Sequence, residues 1–294
     1  MSMRPAINTR AIVTMLAAVV LFALMDACLK LLSAHYPPFQ VASMRGAASL
    51  PLVLIWALTT AGWRPLFRIR WRLHLLRAVL GVTMMGAFVF ALQRMPISSA
   101  YAIFFIAPLL ITALSVPILG EHVGPRRWTA IVIGFIGVLV ALRPSGDGVV
   151  SIAGLAVLLA ALGYAVSAIT VRVLARTDST QAMVVWLMLS LTLGAGAIAA
   201  SGWVGIARSD WMLIASVGVA GALGQYAITE AFRRGEASLI APLEYTALAW
   251  SLILDFALWG VLPNPMTWFG AAIIIASGLY LLRRERVHVE AEHP

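Results

Sequence analysis

Displaced by 140 positions, the chain lies on itself. Ala91 falls on Ala231, Arg94 on Arg234, Ser98 on Ser238, Gly120 on Gly260, Pro125 on Pro265 and Arg143 on Arg283. Trp63, Trp71 and Trp128 fall on Trp203, Trp211 and Trp268. A chain rich in Ala, Gly, Leu and Val matches itself loosely at many shifts. Tryptophan is scarce, so matched tryptophans at a single shift carry more weight. The chain reads as two copies of one unit, 1–146 and 147–294, within one compact membrane domain. Lys30 and Arg172 match only at a shift of 142, which implies a small insertion between the copies.

Each unit is built from apolar stretches broken by turn residues such as Tyr36-Pro37-Pro38 and Pro263-Asn264-Pro265. The breaks predict ten helices, near 11–33, 38–59, 72–92, 97–119, 125–142, 150–173, 179–200, 208–232, 237–260 and 265–283. A helix of about 20 residues rising 1.5 Å each spans a hydrocarbon core of about 30 Å. Hydrophobic residues make up 62% of the chain and charged ones 11%, too much apolar surface for a soluble core of this length. Lipid must cover it. The basic run at Arg4 and Arg10 before the apolar residues from Ala11 resembles a signal peptide, but Asp26 disfavours cleavage there, and an uncleaved first helix is expected.

Arginine placement orients the bundle. Arg4, Arg10, Arg64, Arg68, Arg126, Arg127, Arg176, Arg233, Arg234 and Arg283 gather on the side of the N-terminus, whereas the opposite loops hold only Arg94, Arg143 and Arg208. Both termini are therefore expected in the cytoplasm. The net charge of +9 is a topology signal, and no nucleic-acid partner is implied. Five helices per unit is an odd number, so the second copy crosses in the opposite sense. The expected fold class is all-α and integral to the membrane, ten transmembrane helices as two inverted five-helix repeats, an arrangement typical of secondary transporters.

From Ala100 the sequence reads A-x7-P-L-x3-A-L-x4-L-G-E, followed by Trp128, Gly134 and Gly137. It resembles the drug/metabolite transporter superfamily, in particular its bacterial ten-helix EamA branch. The resemblance implies a bacterial inner-membrane protein in which the segments near 125–142 and 265–283 lie at the periphery of a central cavity. It implies export of small metabolites, often amino acids, and within the branch the exporters that favour aromatic amino acids. The second copy departs from the pattern, with Val261 where Glu121 stands.

Ionisable groups within a bilayer are costly and mark candidate sites. Asp26 and Lys30, four apart on one helical face, are spaced for an ion pair; with Arg45 and Asp255 they form a nominally neutral outer cluster. Asp26 could take a substrate ammonium or serve as a gate, and Arg45 a substrate carboxylate; alternatively the charges only lock helices together. Glu244 matches Phe104 in the other copy, so the fold does not require the acid, and Glu244, Leu248, Ser251 and Asp255 share one face. Arg77 and Glu230, near helix ends, are expected to snorkel or pair structurally. Tyr101, Phe105, Tyr164, Tyr245 and Trp250 offer aromatic walls, whereas Trp56, Trp63, Trp71, Trp203, Trp211 and Trp268 suit the interfacial belt. Pro108 and Pro242 are candidate hinges. Gly134 and Gly137, and Gly270, Ser277 and Gly278, suit close helix packing.

Motifs of hydrolases, metalloproteases and phosphate loops are missing, so an intramembrane enzyme is disfavoured. The five histidines lie in or near loops and tails, and one cysteine, Cys28, excludes an internal disulfide; neither a metal nor a cofactor is expected. The chain is read as an amino-acid exporter preferring aromatic or large apolar side chains, with a multidrug or organic-cation exporter as the alternative. Its partners are the solute and the lipid bilayer, and a monomer or weak homodimer is expected.

Overall fold

The computed structural model describes residues 9–120, 151–235 and 240–262, with scattered helical residues between 128 and 140 and between 265 and 276. The helices are α1 (Thr9–Ser33), α2 (Pro38–Thr60), α3 (Arg64–Phe67), α4 (Trp71–Leu92), α5 (Ile97–Phe104), α6 (Ala107–Leu119), α7 (Ile152–Leu174), α8 (Thr180–Ser190), α9 (Gly196–Ala199), α10 (Trp211–Arg234) and α11 (Ala247–Trp259). Among the described residues there is no strand. Among the described residues, seven helical stretches are long and apolar enough to cross a membrane: α1, α2, α4, Ile97–Leu119, α7, Thr180–Gly202 and Arg208–Arg234. This is a multi-pass membrane protein. Most of the expected segments near 125–142 and 265–283, including Gly134, Ser277 and Gly278, lie outside the described residues.

Local chemistry explains the boundaries. Pro38 at the first turn of α2 loses no hydrogen bond it would otherwise make. The Ser151 and Ser179 hydroxyls cap α7 and α8 by accepting from Gly154 N and Ala182 N. Helices α6 and α11 end alike, on Gly120 and Gly260 at φ 74° and 63°, a left-handed conformation that favours glycine.

Three expected helices are interrupted. The stretch 97–119 divides between Phe104 and Ala107 because Pro108 removes the N–H that would reach the Phe104 carbonyl, and its ring crowds that group. The stretch 179–200 passes through a π-helical turn at Leu191–Ala195. Its Thr192 backbone N would lie 2.6 Å from a Cβ placed on Gly46, so α2 meets this turn backbone to backbone. The last stretch begins as a 3₁₀ helix, Ala241–Thr246, with Pro242 in its first turn, before α11.

The packing is reciprocal. Helix α1 runs along α10 and α7 runs along α4, while α2 lies against α8 and the π turn. Gly218 and Gly221 let α10 approach Ala48 and Ser49 of α2, and Ser49 Oγ donates to the Gly218 carbonyl at 3.1 Å. Leu, Ile, Val and Trp side chains such as Ile55, Leu75, Leu193 and Trp211 remain exposed on the outside. Among the belt tryptophans, Trp56 instead packs edge-on against Tyr226, with ring centroids 4.8 Å apart.

Candidate functional site

Between these helices lies a cavity of about 160 Å³, lined from α1, α2, α4, α5, α7, α8, α10, the 3₁₀ turn and the start of α11. Its walls are mostly apolar and aromatic, with Phe22, Phe88, Phe104, Phe105 and Phe232 alongside Tyr101 and Tyr164. The rings form a continuous chain: Phe105 with Tyr101, Tyr101 with Phe88, Phe88 with Phe104, and Phe104 with Tyr164 at 5.4 Å.

Two carboxylates face this space, and each receives a tyrosine. Tyr101 Oη donates to Asp26 Oδ2 at 2.5 Å, joining α1 to α5. Tyr164 Oη donates to Glu244 Oε1 at 2.7 Å, joining α7 to the 3₁₀ turn. The two bonds pair the groups in opposite order along the chain: the acid is on α1 and the tyrosine on α5 in one, the tyrosine on α7 and the acid on the 3₁₀ turn in the other.

Arg45 stands among softer partners. Its Nε and Nη1 point at the thioether sulfurs of Met25 and Met85, at 3.2 and 3.0 Å, and Nη2 reaches Gln225 Oε1 at 3.5 Å. The guanidinium also lies over the Phe22 ring, 5.7 Å from its centroid. Among the described residues no carboxylate lies within ion-pair distance of it. Sulfur is a weak acceptor, so this buried fork retains bonding capacity for an anion.

The two ends of the bundle are tied differently. At one, Asp255 accepts from Ile97 N at 3.1 Å, Ser98 N at 2.7 Å and Ser98 Oγ. Nearby, Lys30 Nζ donates to the Met95 carbonyl at 2.6 Å, and Tyr36 Oη donates to Asp210 at 2.7 Å. At the other end, Glu230 accepts from Arg233, Arg234 and Thr180, and Asp178 accepts from Thr177, the Arg70 backbone and His74. Burial would raise the Asp178 carboxyl, but these donors prevail and hold it below its ordinary value of 3.8.

The sequence model of one transporter family matches the chain twice, at residues 9–143 and at 151–283. The chain belongs to the EamA-like transporter family. It is 31% identical to a riboflavin transporter of Vibrio cholerae over 278 residues, covering 92% of each chain. It is 24% identical to the pseudopaline exporter CntI of Pseudomonas aeruginosa over 266 residues, covering 90% of this chain and 93% of the relative. A solved crystal structure at 19% identity shares its fold, with a TM-score of 0.71 over 94% of this chain and 98% of the other.

Within this EamA-like transporter, Asp26, Arg45, Tyr101, Phe105, Tyr164 and Glu244 come together on this cavity. Tyr245 is buried beside it, edge-on to Phe105, with a hydroxyl that has no partner among the described residues. Trp250 is 40% exposed and off the cavity lining. Lys30 and Asp255 lie off the lining as well, so the four-charge outer cluster is divided. The expected Asp26–Lys30 ion pair does not form, because Tyr101 and the Met95 carbonyl satisfy the two groups across helices. Of the hinge candidates, Pro108 marks the α5–α6 break, and Pro242 lies in the 3₁₀ turn.

Arg77 corrects an expectation: it neither snorkels nor pairs, but lies 2% exposed on the cavity wall. Glu230 does pair structurally. Sequence reading missed Met25, Gln225 and Thr229 on the lining. Gln225 and Thr229 were findable as polar residues four apart on an apolar helix, and they are bonded at 3.2 Å. Methionine carries no comparable signal.

Proposed function

We propose that this protein is a secondary carrier that exports amino acids, preferring aromatic or large apolar ones, by alternating access to the central cavity. The observation that carries the reading is Arg45: a buried guanidinium on the cavity wall, close to Asp26, with thioethers and one amide where a carboxylate partner would be expected. A zwitterion supplies what is missing. Its carboxylate goes to Arg45, its ammonium to Asp26 or Glu244, and its side chain to the rings of Phe88, Phe104, Phe105 and Tyr164. Size favours a small solute. The cavity of about 160 Å³ is below the range of about 300–1,000 Å³ usual for drug-sized ligands.

The frame proposed for this is ten crossings in two inverted repeats, 1–146 and 147–294, with both termini in the cytoplasm of a bacterial cell. Reciprocal packing of α1 on α10 and α7 on α4 supports it, as does a family model that matches the chain twice. Two related halves that can exchange conformations give alternating access a physical basis.

Riboflavin is the second reading, favoured by the 31% identity to a riboflavin transporter across nearly the whole chain. It requires the cavity to widen. Competition in proteoliposomes separates the two. Phenylalanine, tryptophan and methionine should displace one another, and riboflavin and a quaternary ammonium dye should compete poorly. Competition by riboflavin alone would select the second reading, and competition by the dye alone would select an organic-cation carrier.

A further inference from the structure

Arg77 lies six residues into α4, about 9 Å along the helix at 1.5 Å per residue, inside an apolar stretch where a cation is costly unless something answers it. It is one of the largest fully buried side chains of the protein. A guanidinium has five N–H donors. One of them, on Nη1, reaches the Met183 carbonyl at 3.1 Å, whereas Nε has no partner among the described residues. Among the described residues no carboxylate is within ion-pair distance. The acids at this end of the bundle are already engaged, Glu230 by Arg233, Arg234 and Thr180, and Asp178 by Thr177, Arg70 and His74.

A brace would not look like this. A structural arginine in an apolar wall is ordinarily paired, and an unanswered one is a cost to the fold. Arg77 nevertheless lines the cavity. It is also a different point from Arg45: eight residues, about 12 Å of helix, separate it from Met85, which Arg45 contacts.

We propose that Arg77 is a second anion-binding point of the carrier, taking an oxyanion of the transported solute, a carboxylate or a phosphate, toward the end of the cavity near Met183. The inference rests on the reading of the same cavity and deepens it: the single oxyanion of the solute is held by Arg45 at one point of its passage and by Arg77 at another, and Arg77 selects for solutes that carry it. The planar fork suits a two-point oxyanion better than a lysine would.

The test uses purified full-length protein and matched probes: phenylacetate against phenylacetamide, and phenyl phosphate against phenol, with binding followed by tryptophan fluorescence. The wild type should prefer the charged member of a pair, and which pair shows the larger preference distinguishes carboxylate from phosphate. Arg77→Gln should reduce that preference about tenfold or more, the loss expected for a charge-assisted hydrogen bond, while Arg77→Lys retains part of it. Arg77→Met should leave the melting temperature of the ligand-free protein unchanged or raised, because it removes an unanswered buried charge. An undiminished preference in Arg77→Gln overturns the proposal. So does a wild type that prefers neither member of either pair, or a melting temperature that falls in Arg77→Met with the preference intact. Failure of phenylalanine transport by the wild type would sink amino-acid export separately, leaving phenylacetate and phenyl phosphate to judge Arg77.

Discussion

Asp255→Ala removes a cap supplied from one helix to another. Helix α5 begins after Pro96, which has no side-chain acceptor for the first N–H groups, and Asp255 of α11 takes that role for Ile97 and Ser98. Its carboxylate is 1% exposed, so water does not compete for these bonds. A hydrogen bond to a charged group is worth about 1.5–3 kcal/mol, and a negative charge at a helix N-terminus adds about 0.3–1 kcal/mol. Three such bonds are not additive, and water entering the alanine variant recovers part of the loss. A net cost of about 3 kcal/mol follows, which is about a hundredfold in an equilibrium constant. If the link closes this end of the cavity, that factor moves the balance between closed and open forms. The assay is thiol labelling in a Cys28→Ser background with Ser167→Cys on the cavity wall, using an impermeant maleimide added outside oriented proteoliposomes. Labelling should accelerate by up to about two orders of magnitude in Asp255→Ala, and by less in Asp255→Asn, which keeps one acceptor oxygen. Unchanged labelling together with a lowered melting temperature would show that Asp255 is a static brace, and the gating argument would fail.

Tyr164→Phe keeps the ring contacts to Phe104 and Phe232 but removes the donor to Glu244, and counterflow should fall about tenfold for the loss of a bond to a carboxylate. An unchanged rate would place this pair outside the transport path. Gly46→Ala should cost about 1–3 kcal/mol by forcing a methyl group against the Thr192 backbone, read as a lower melting temperature; an unchanged value would mean that α2 and the π turn separate freely. Asp178 has a carboxyl held below 3.8, so its stabilisation is present above that pH and lost as pH falls through the folded value. The melting-temperature difference between wild type and Asp178→Asn should therefore be steady near neutrality and shrink below 3.8; a difference that grows on acidification would contradict the sign.

Hydropathy and turn residues located the described helices to within a few positions, because lipid imposes one requirement on every span. The break before Ala107 was legible in Pro108, whose effect falls on the residue four before it. The π turn at Leu191–Ala195 was not, since nothing in Leu-Thr-Leu-Gly-Ala differs locally from an ordinary helix; in the structure it is the segment that Gly46 of α2 passes at backbone contact. In the site, the intramembrane charges Asp26, Arg45 and Glu244 stood out by cost alone. Their partners did not, because Tyr101 and Tyr164 reach them from other helices, and spacing within one helix proposed Lys30 instead. Arg77 was misjudged by depth: counting residues from the helix start suggested an escape to the interface, but the side chain turns into the bundle toward Met183.

Counterflow with Arg45 intact and removed tests the central claim most directly. Proteoliposomes loaded with unlabelled phenylalanine and diluted into a trace of labelled phenylalanine should show transient accumulation of label with the wild type. Arg45→Gln, reconstituted in equal amount and with an unchanged melting temperature, should lose it. No accumulation by the wild type, or full accumulation by Arg45→Gln, would contradict the assignment of the cavity as the path of an amino acid.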